Sequence, residues 1–205
     1  MIEINNLSIR HGEKTIISNL SLHVARGSKM VFKGQSGSGK TSILNALMGF
    51  QPLAQGHITI ADRRISASTI GWIRSQIAWV PQELAFDLPL ARDLLLLPFS
   101  LKKNRHLLPD SVAINAVLYQ MNLSQDILEQ PLSSISGGEK QRICLAASLM
   151  QQKPIILLDE PTSALDKATR QKITRQFCSL PHTTVIAASH DDYWIEQSDM
   201  VVDLE

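Results

Sequence analysis

From residue 34 to residue 41 the chain reads Gly34-Gln35-Ser36-Gly37-Ser38-Gly39-Lys40-Thr41, followed by Ser42. An apolar run, Lys29–Lys33, precedes this stretch, and Ile43, Leu44, Leu47 and Met48 follow it at helical spacing. A strand, a glycine-rich turn and a helix in that order leave few options for the fold. The glycines let the backbone bend tightly and point successive N–H groups inward. The helix start adds unpaired donors and the positive end of its dipole. Such a loop holds phosphate. Lys40 can reach the outer phosphates of a nucleoside triphosphate, and Thr41 can offer its hydroxyl to Mg2+. Charge-assisted hydrogen bonds of this kind are worth about 1.5–3 kcal/mol each. The motif points to a triphosphate and leaves the enzyme class open.

The rest of the chain divides by pattern. Residues 2–4, 20–24 and 57–60 alternate apolar and polar, as half-buried and antiparallel strands do. Later segments alternate short apolar strands with helices. Residues 69–76, 90–97, 110–121, 139–151, 166–180 and 191–197 read as helices. Ile77–Val80, residues 155–158, Thr184–Ala188 and residues 200–204 read as strands. That order predicts a parallel sheet covered on both faces. The fold class expected is α/β: a P-loop NTPase core with a parallel sheet, an N-terminal antiparallel β subdomain and an inserted helical subdomain at about 82–152. The whole chain, 1–205, reads as a single nucleotide-binding domain. Residues 101–108, with Lys102, Lys103, Arg105 and His106, read as a solvated basic loop.

Four apolar residues, 155–158, end in Asp159-Glu160. Ligands of parallel sheets lie beyond the carboxyl ends of the strands, which puts both acids at the site. Asp159 is expected to hold Mg2+ through a water, and Glu160 to polarise the attacking water or take its proton. A second glycine-bearing helix start lies just upstream, in Ile135-Ser136-Gly137-Gly138-Glu139-Lys140-Gln141-Arg142. There Ser136 is an N-cap hydroxyl, and the glycines permit close backbone approach.

This last stretch resembles the signature of the ABC ATPase family, normally Leu-Ser-Gly-Gly-Gln, with Ile135 in place of leucine and Glu139 in place of glutamine. The resemblance runs over nearly the whole chain and implies further roles. Gln82 matches the Q-loop glutamine, which senses Mg2+ and the attacking water and hinges the helical subdomain. Ser163-Ala164-Leu165-Asp166 matches the D-loop, and His190 the switch histidine that contacts the γ-phosphate. His11 stands where the family places an aromatic residue against adenine. Its smaller, more polar ring should discriminate bases less well and let GTP compete. By this resemblance Glu160, His190 and Gln82 are catalytic. Residues 34–42, His11 and Ser136, Gly137, Gly138 and Glu139 bind nucleotide, and Thr41, Gln82 and Asp159 serve the metal. ATP and Mg2+ are the expected cofactors.

In the family two subunits pack head to tail, so that each nucleotide lies between one phosphate loop and the partner's signature. A second nucleotide-binding subunit is therefore expected, as a homodimer rather than a heterodimer, together with a transmembrane permease subunit. The resemblance leans toward compact cassettes of exporter-like and metal-homeostasis systems that lack a C-terminal regulatory domain. The expected location is peripheral, on the cytoplasmic face of the inner membrane. Composition fits. Lys+Arg number 20 against 19 Asp+Glu, a formal net charge of +1, so nucleic acid is not an expected partner. No stretch approaches the roughly 20 apolar residues of a membrane span, and the N-terminus has no secretory leader. Cys144 and Cys178 show no metal-ligand spacing. The alternative is a soluble ABC ATPase acting on ribosomes or DNA. A small-molecule kinase would not need the second glycine-bearing helix start, and a non-hydrolysing scaffold would not need intact Lys40, Glu160 and His190.

Overall fold

In a computed structural model of the chain, which describes residues 1–204, the elements form two sheets. The first is antiparallel. It comprises β1 (Ile2–His11), β2 (Lys14–Val24), β4 (Gln55–Ile60) and β5 (Arg63–Arg64), in the order β2-β1-β4-β5. The second is wholly parallel. It comprises β3 (Lys29–Lys33), β6 (Ile77–Val80), β7 (Ile155–Asp159), β8 (Thr184–Ala188) and β9 (Met200–Asp203), in the order β6-β7-β8-β3-β9. Helix α1 (Lys40–Leu47) leaves the loop after β3. Helices α2 (Ile70–Ser75), α3 (Ala91–Ser100), α4 (Ser111–Gln120), α5 (Gly137–Met150), α6 (Lys167–Cys178) and α7 (Asp192–Gln197) complete the fold.

The inner strands β7 and β8 are buried at every residue and are mainly apolar because both of their faces are covered, whereas the edge strand β9 leaves Val201 and Asp203 exposed. Along β7, Ile155 and Leu157 face one core while Ile156 and Leu158 face another. In β3, Met30 and Phe32 lie on the first side and Val31 on the second. The first core also takes Ile43, Leu44 and Leu47 of α1 together with Ile4, Leu7 and Ile58 of the antiparallel sheet. Helix α1 is thus clamped between two sheets, with its N-terminus at the carboxyl ends of the parallel strands. The second core is built with Leu94 and Leu95 of α3, Leu118 of α4, Ile143 and Leu145 of α5, Ile173 of α6 and Trp194 of α7.

The structure refines the expected elements. β1 and β2 are much longer than residues 2–4 and 20–24. The β1 register slips between Ile4 and Leu7, where Asn6 takes a left-handed backbone (φ 49°), so Leu7, Ser8 and Ile9 are all buried and the alternation disappears. Helix α3 runs past residue 97 and carries Pro98 in its last turn. Helix α5 begins at Gly137 rather than 139, because Ser136 is its cap. The basic segment 101–108 contains a 3-10 turn, Arg105–Leu107; a second, Gln125–Glu129, and the two-residue β5 carry no clear signal in the sequence. Lys29, at the start of β3, is buried. Its ammonium donates to the carbonyls of Gly27, Leu180 and Thr183 at 2.6, 2.9 and 2.7 Å, which fixes the amino ends of the sheet far from the phosphate loop.

Candidate nucleotide site

The phosphate loop bends where its glycines allow it. Gly37 and Gly39 take left-handed φ values of 84° and 102°. Gly39 is also packed tightly: a Cβ there would come within 2.8 Å of Ile16 and Ile17. Gly39 caps α1 with no side-chain hydrogen bond, and no acidic residue stands in the first turn. The first amides of α1 are therefore left to an anion. Lys40 is buried, and its ammonium donates to Gly34 O at 2.7 Å and Gln35 O at 3.1 Å.

A cavity of about 660 Å3 opens over this loop. Gly34, Gln35, Ser36, Gly37, Gly39, Lys40, Thr41 and Ser42 line one side, with His11 and Ile16 at its edge. Gln82, Glu160, Ser163 and His190 line the other. Ser38, expected with the loop, turns inward instead: its hydroxyl is buried beneath Gly34 without a hydrogen-bond partner.

Glu160 sits just past β7 with a left-handed backbone (φ 46°). Such a conformation is costly for a residue with a side chain and persists only when its surroundings hold it. Here its N–H donates to Ala188 O at 2.9 Å. Its carbonyl accepts from Gln141 Nε2 at 2.8 Å and from Ser163 Oγ at 3.1 Å. The carboxylate lies 3.5 Å from Lys40 Nζ, and His190 Nδ1 sits 3.2 and 3.1 Å from its two oxygens. It is almost wholly buried, whereas the His190 side chain is 71% exposed. One carboxylate thus touches both the lysine of the loop and the histidine after β8.

Asp159, at the end of β7, is buried behind this cavity, and its Oδ1 has no hydrogen-bond partner. Burial pushes its carboxyl above the usual range and the charge of Glu160 adds to this, while a hydrogen bond with Thr41 and the charge of Lys40 oppose it. His11 is held by a 3.0 Å hydrogen bond between its Nε2 and Gln51 Oε1. The sequence does not signal Gln51 as a partner, nor Ile16 at the cavity edge.

Ser136, Gly137, Gly138 and Glu139 lie elsewhere and do not line the cavity. Ser136 Oγ accepts from Glu139 N at 3.2 Å. The Glu139 carboxylate takes hydrogen bonds from Ser136 N at 2.8 Å and Ser136 Oγ at 2.7 Å, a reciprocal capping box. These bonds hold the Glu139 carboxyl below the usual range. Gly138 is pressed against the loop after Glu160: a Cβ on it would meet Ala164 O at 2.9 Å.

Comparison with known proteins agrees with this geometry. Residues 17–163 match the family described as ABC transporter. The zinc import ATP-binding protein ZnuC of Photorhabdus laumondii is 30% identical over 198 residues, which span 93% of this chain and 69% of that protein. Among solved structures, a bacterial Atm1-family ABC exporter with ATP bound superposes with a TM-score of 0.86 at 26% identity, over 100% of this chain and 37% of that one. A dimeric ATP-binding cassette in a post-hydrolysis state, bound to ADP and Pi, gives a TM-score of 0.84 at 25% identity, over 100% of this chain and 94% of that one. The parallel sheet with its clamped loop helix is the cassette architecture, and the match covers the phosphate loop, the signature helix and the strand ending in Asp159. The chain belongs to the ABC transporter family, as an ATP-binding cassette that hydrolyses ATP.

Proposed function

We propose that this ATPase powers a membrane transporter from the cytoplasmic face of the inner membrane, as a peripheral subunit paired with a second copy of itself and joined to a separate transmembrane permease. The observation that carries the reading is the separate placement of the two glycine-bearing helix starts: the start of α1 opens on the cavity and the start of α5 does not. A nucleotide over Lys40 meets Ser136 only when Ser136 arrives from another subunit. ATP then joins two cassettes and hydrolysis lets them part. The permease is proposed to seat a helix in an apolar groove of about 540 Å3, lined by Trp79, Phe86, Leu94, Leu97 and Leu101. Among the described residues no helix is long and apolar enough to cross a membrane. The chain 1–205 acts as one unit in which residues 82–152, hinged at Gln82, move with the nucleotide state.

In this mechanism Lys40 and the α1 amides bind and orient the phosphates. Glu160 accepts the proton of the attacking water, and His190, 3.1 Å from that carboxylate, meets the γ-phosphate. Residues fit for Mg2+ are present: the Thr41 hydroxyl, the unpartnered Oδ1 of Asp159, and Gln82 on the cavity wall. Bound there, the ion would neutralise charge on the phosphates. His11 is proposed to stack on the base, with weaker discrimination than an aromatic ring gives. His11→Tyr should then raise the preference for ATP over GTP, and equal affinities before and after the change would remove this part of the reading.

Glu160→Gln tests the main reading. It should bind ATP normally, hydrolyse it about 100-fold more slowly, elute as an ATP-dependent dimer, and retain a polytopic membrane protein on capture from solubilised membranes. Normal turnover by the variant would sink the assignment of Glu160. Capture of ribosomal or DNA-bound partners alone would favour the soluble alternative.

A further inference from the structure

The motif that begins at Ile135 contains a pair, Gln141-Arg142, that the nucleotide site leaves unused. The two side chains leave α5 in different directions. Arg142 donates to the carbonyls of Met121 and Asn122, at 3.2 and 2.6 Å, at the end of α4. Gln141 is buried, only 4% exposed, and spends both ends of its amide on the loop after β7. Its Nε2 donates to Glu160 O at 2.8 Å, and its Oε1 accepts from Ala164 N at 3.2 Å. A buried amide with both ends satisfied by backbone is a rigid tie. The residue it ties is Glu160, whose left-handed backbone needs such restraint. Gly138, one turn earlier in α5, lies close against Ala164 O, so the start of α5 is packed directly on the 160–164 loop.

We infer that Gln141 is a positioning residue: it sets the backbone of Glu160, and so the placement of the Glu160 carboxylate, according to the position of helix α5. The inference rests on the head-to-tail reading for its meaning. In that arrangement the start of α5 serves the partner's nucleotide while Glu160 serves this subunit's own. Gln141 then reports occupancy of one site to the general base of the other, and Arg142 carries the same displacement to α4.

The test uses Gln141→Leu, which removes both hydrogen bonds, and Gln141→Glu, which removes the donor to Glu160 O and keeps an acceptor. ATPase rates, melting temperature and amide hydrogen exchange are measured on the full chain. Both variants should lose kcat by about tenfold with KM for ATP unchanged, because the phosphate loop is untouched. Gln141→Leu should also speed exchange at Ala164 while leaving β7 protected. Variants that keep kcat within twofold, or whose kcat and KM worsen together in step with a lowered melting temperature, would overturn the inference and leave the cassette assignment standing. No ATPase activity in the unaltered chain would overturn both.

Discussion

Helices α1 and α5 both start from serine- and glycine-rich turns, yet their first amides are prepared in opposite ways. The α1 start has a left-handed glycine as its cap, no side-chain acceptor, no acid in its first turn, and a buried lysine beside it. The α5 start is exposed, capped by Ser136, and already holds the Glu139 carboxylate against Ser136 N and Oγ. An anion arriving at α1 finds free donors. An anion arriving at α5 must compete with a carboxylate for the same serine. The first start is therefore ready within one chain, while the second needs its capping box to open. That difference suits a phosphate held permanently by one subunit and contacted intermittently by another.

The contrast can be broken most severely at α1. Lys40→Ala removes an ammonium that the low-dielectric site relies on, and nucleotide affinity should fall about 100-fold or more, measured by calorimetry. Gly39→Ala should be nearly as damaging for a different reason. It forces a side chain into φ 102° and against Ile16 and Ile17, costing about 1–3 kcal/mol of stability in denaturant unfolding. Ser136→Ala acts on the other start. It removes an N-cap and should cost about 1 kcal/mol of stability, with nucleotide binding by the single subunit unchanged. If Ser136→Ala weakened binding to the monomer, the separation of the two starts would be wrong.

What was legible in the sequence follows the same division. The α1 site is written in glycines and a lysine at fixed spacing, and the ends of β7 and β8 show as apolar runs stopping at Asp159-Glu160 and His190. Those features are local, so a linear reading finds them. The long-range supports were not legible. Gln141 meets Glu160 and Ala164 across 19 and 23 residues, through backbone atoms that any residue would supply. Gln51 reaches His11 across 40 residues. Nothing in the apolar run before Glu160 announces its left-handed backbone. The full length of β1 was hidden by the slip at Asn6, which destroys the period on which strand reading depends. Ser38 shows the limit within the motif itself: its place in the loop is fixed, but packing under Gly34 decides that its hydroxyl turns away from the cavity.

The smallest effect sharpens the comparison most, because it isolates charge from shape. Glu139→Gln keeps the length of the side chain and one acceptor oxygen, so the cap geometry at Ser136 can persist while the negative charge is lost. In the single chain the carboxyl of Glu139 is held below its ordinary value by its bonds from Ser136. Its contribution to stability is therefore present above the unfolded value, near 4.5, and is lost as pH falls through the lower folded value. The variant should lack this part of the acid dependence, seen as a flatter fall of melting temperature below that pH. The effect is modest because the group is solvated. In the dimer the sign reverses. With no carboxylate competing for Ser136, and less repulsion toward phosphate, ATP-dependent association of a Glu160→Gln background should tighten about two- to fivefold, and the gain should shrink with added salt. Unchanged association at low salt would mean that Glu139 swings clear on its own and that the two helix starts differ in the monomer only.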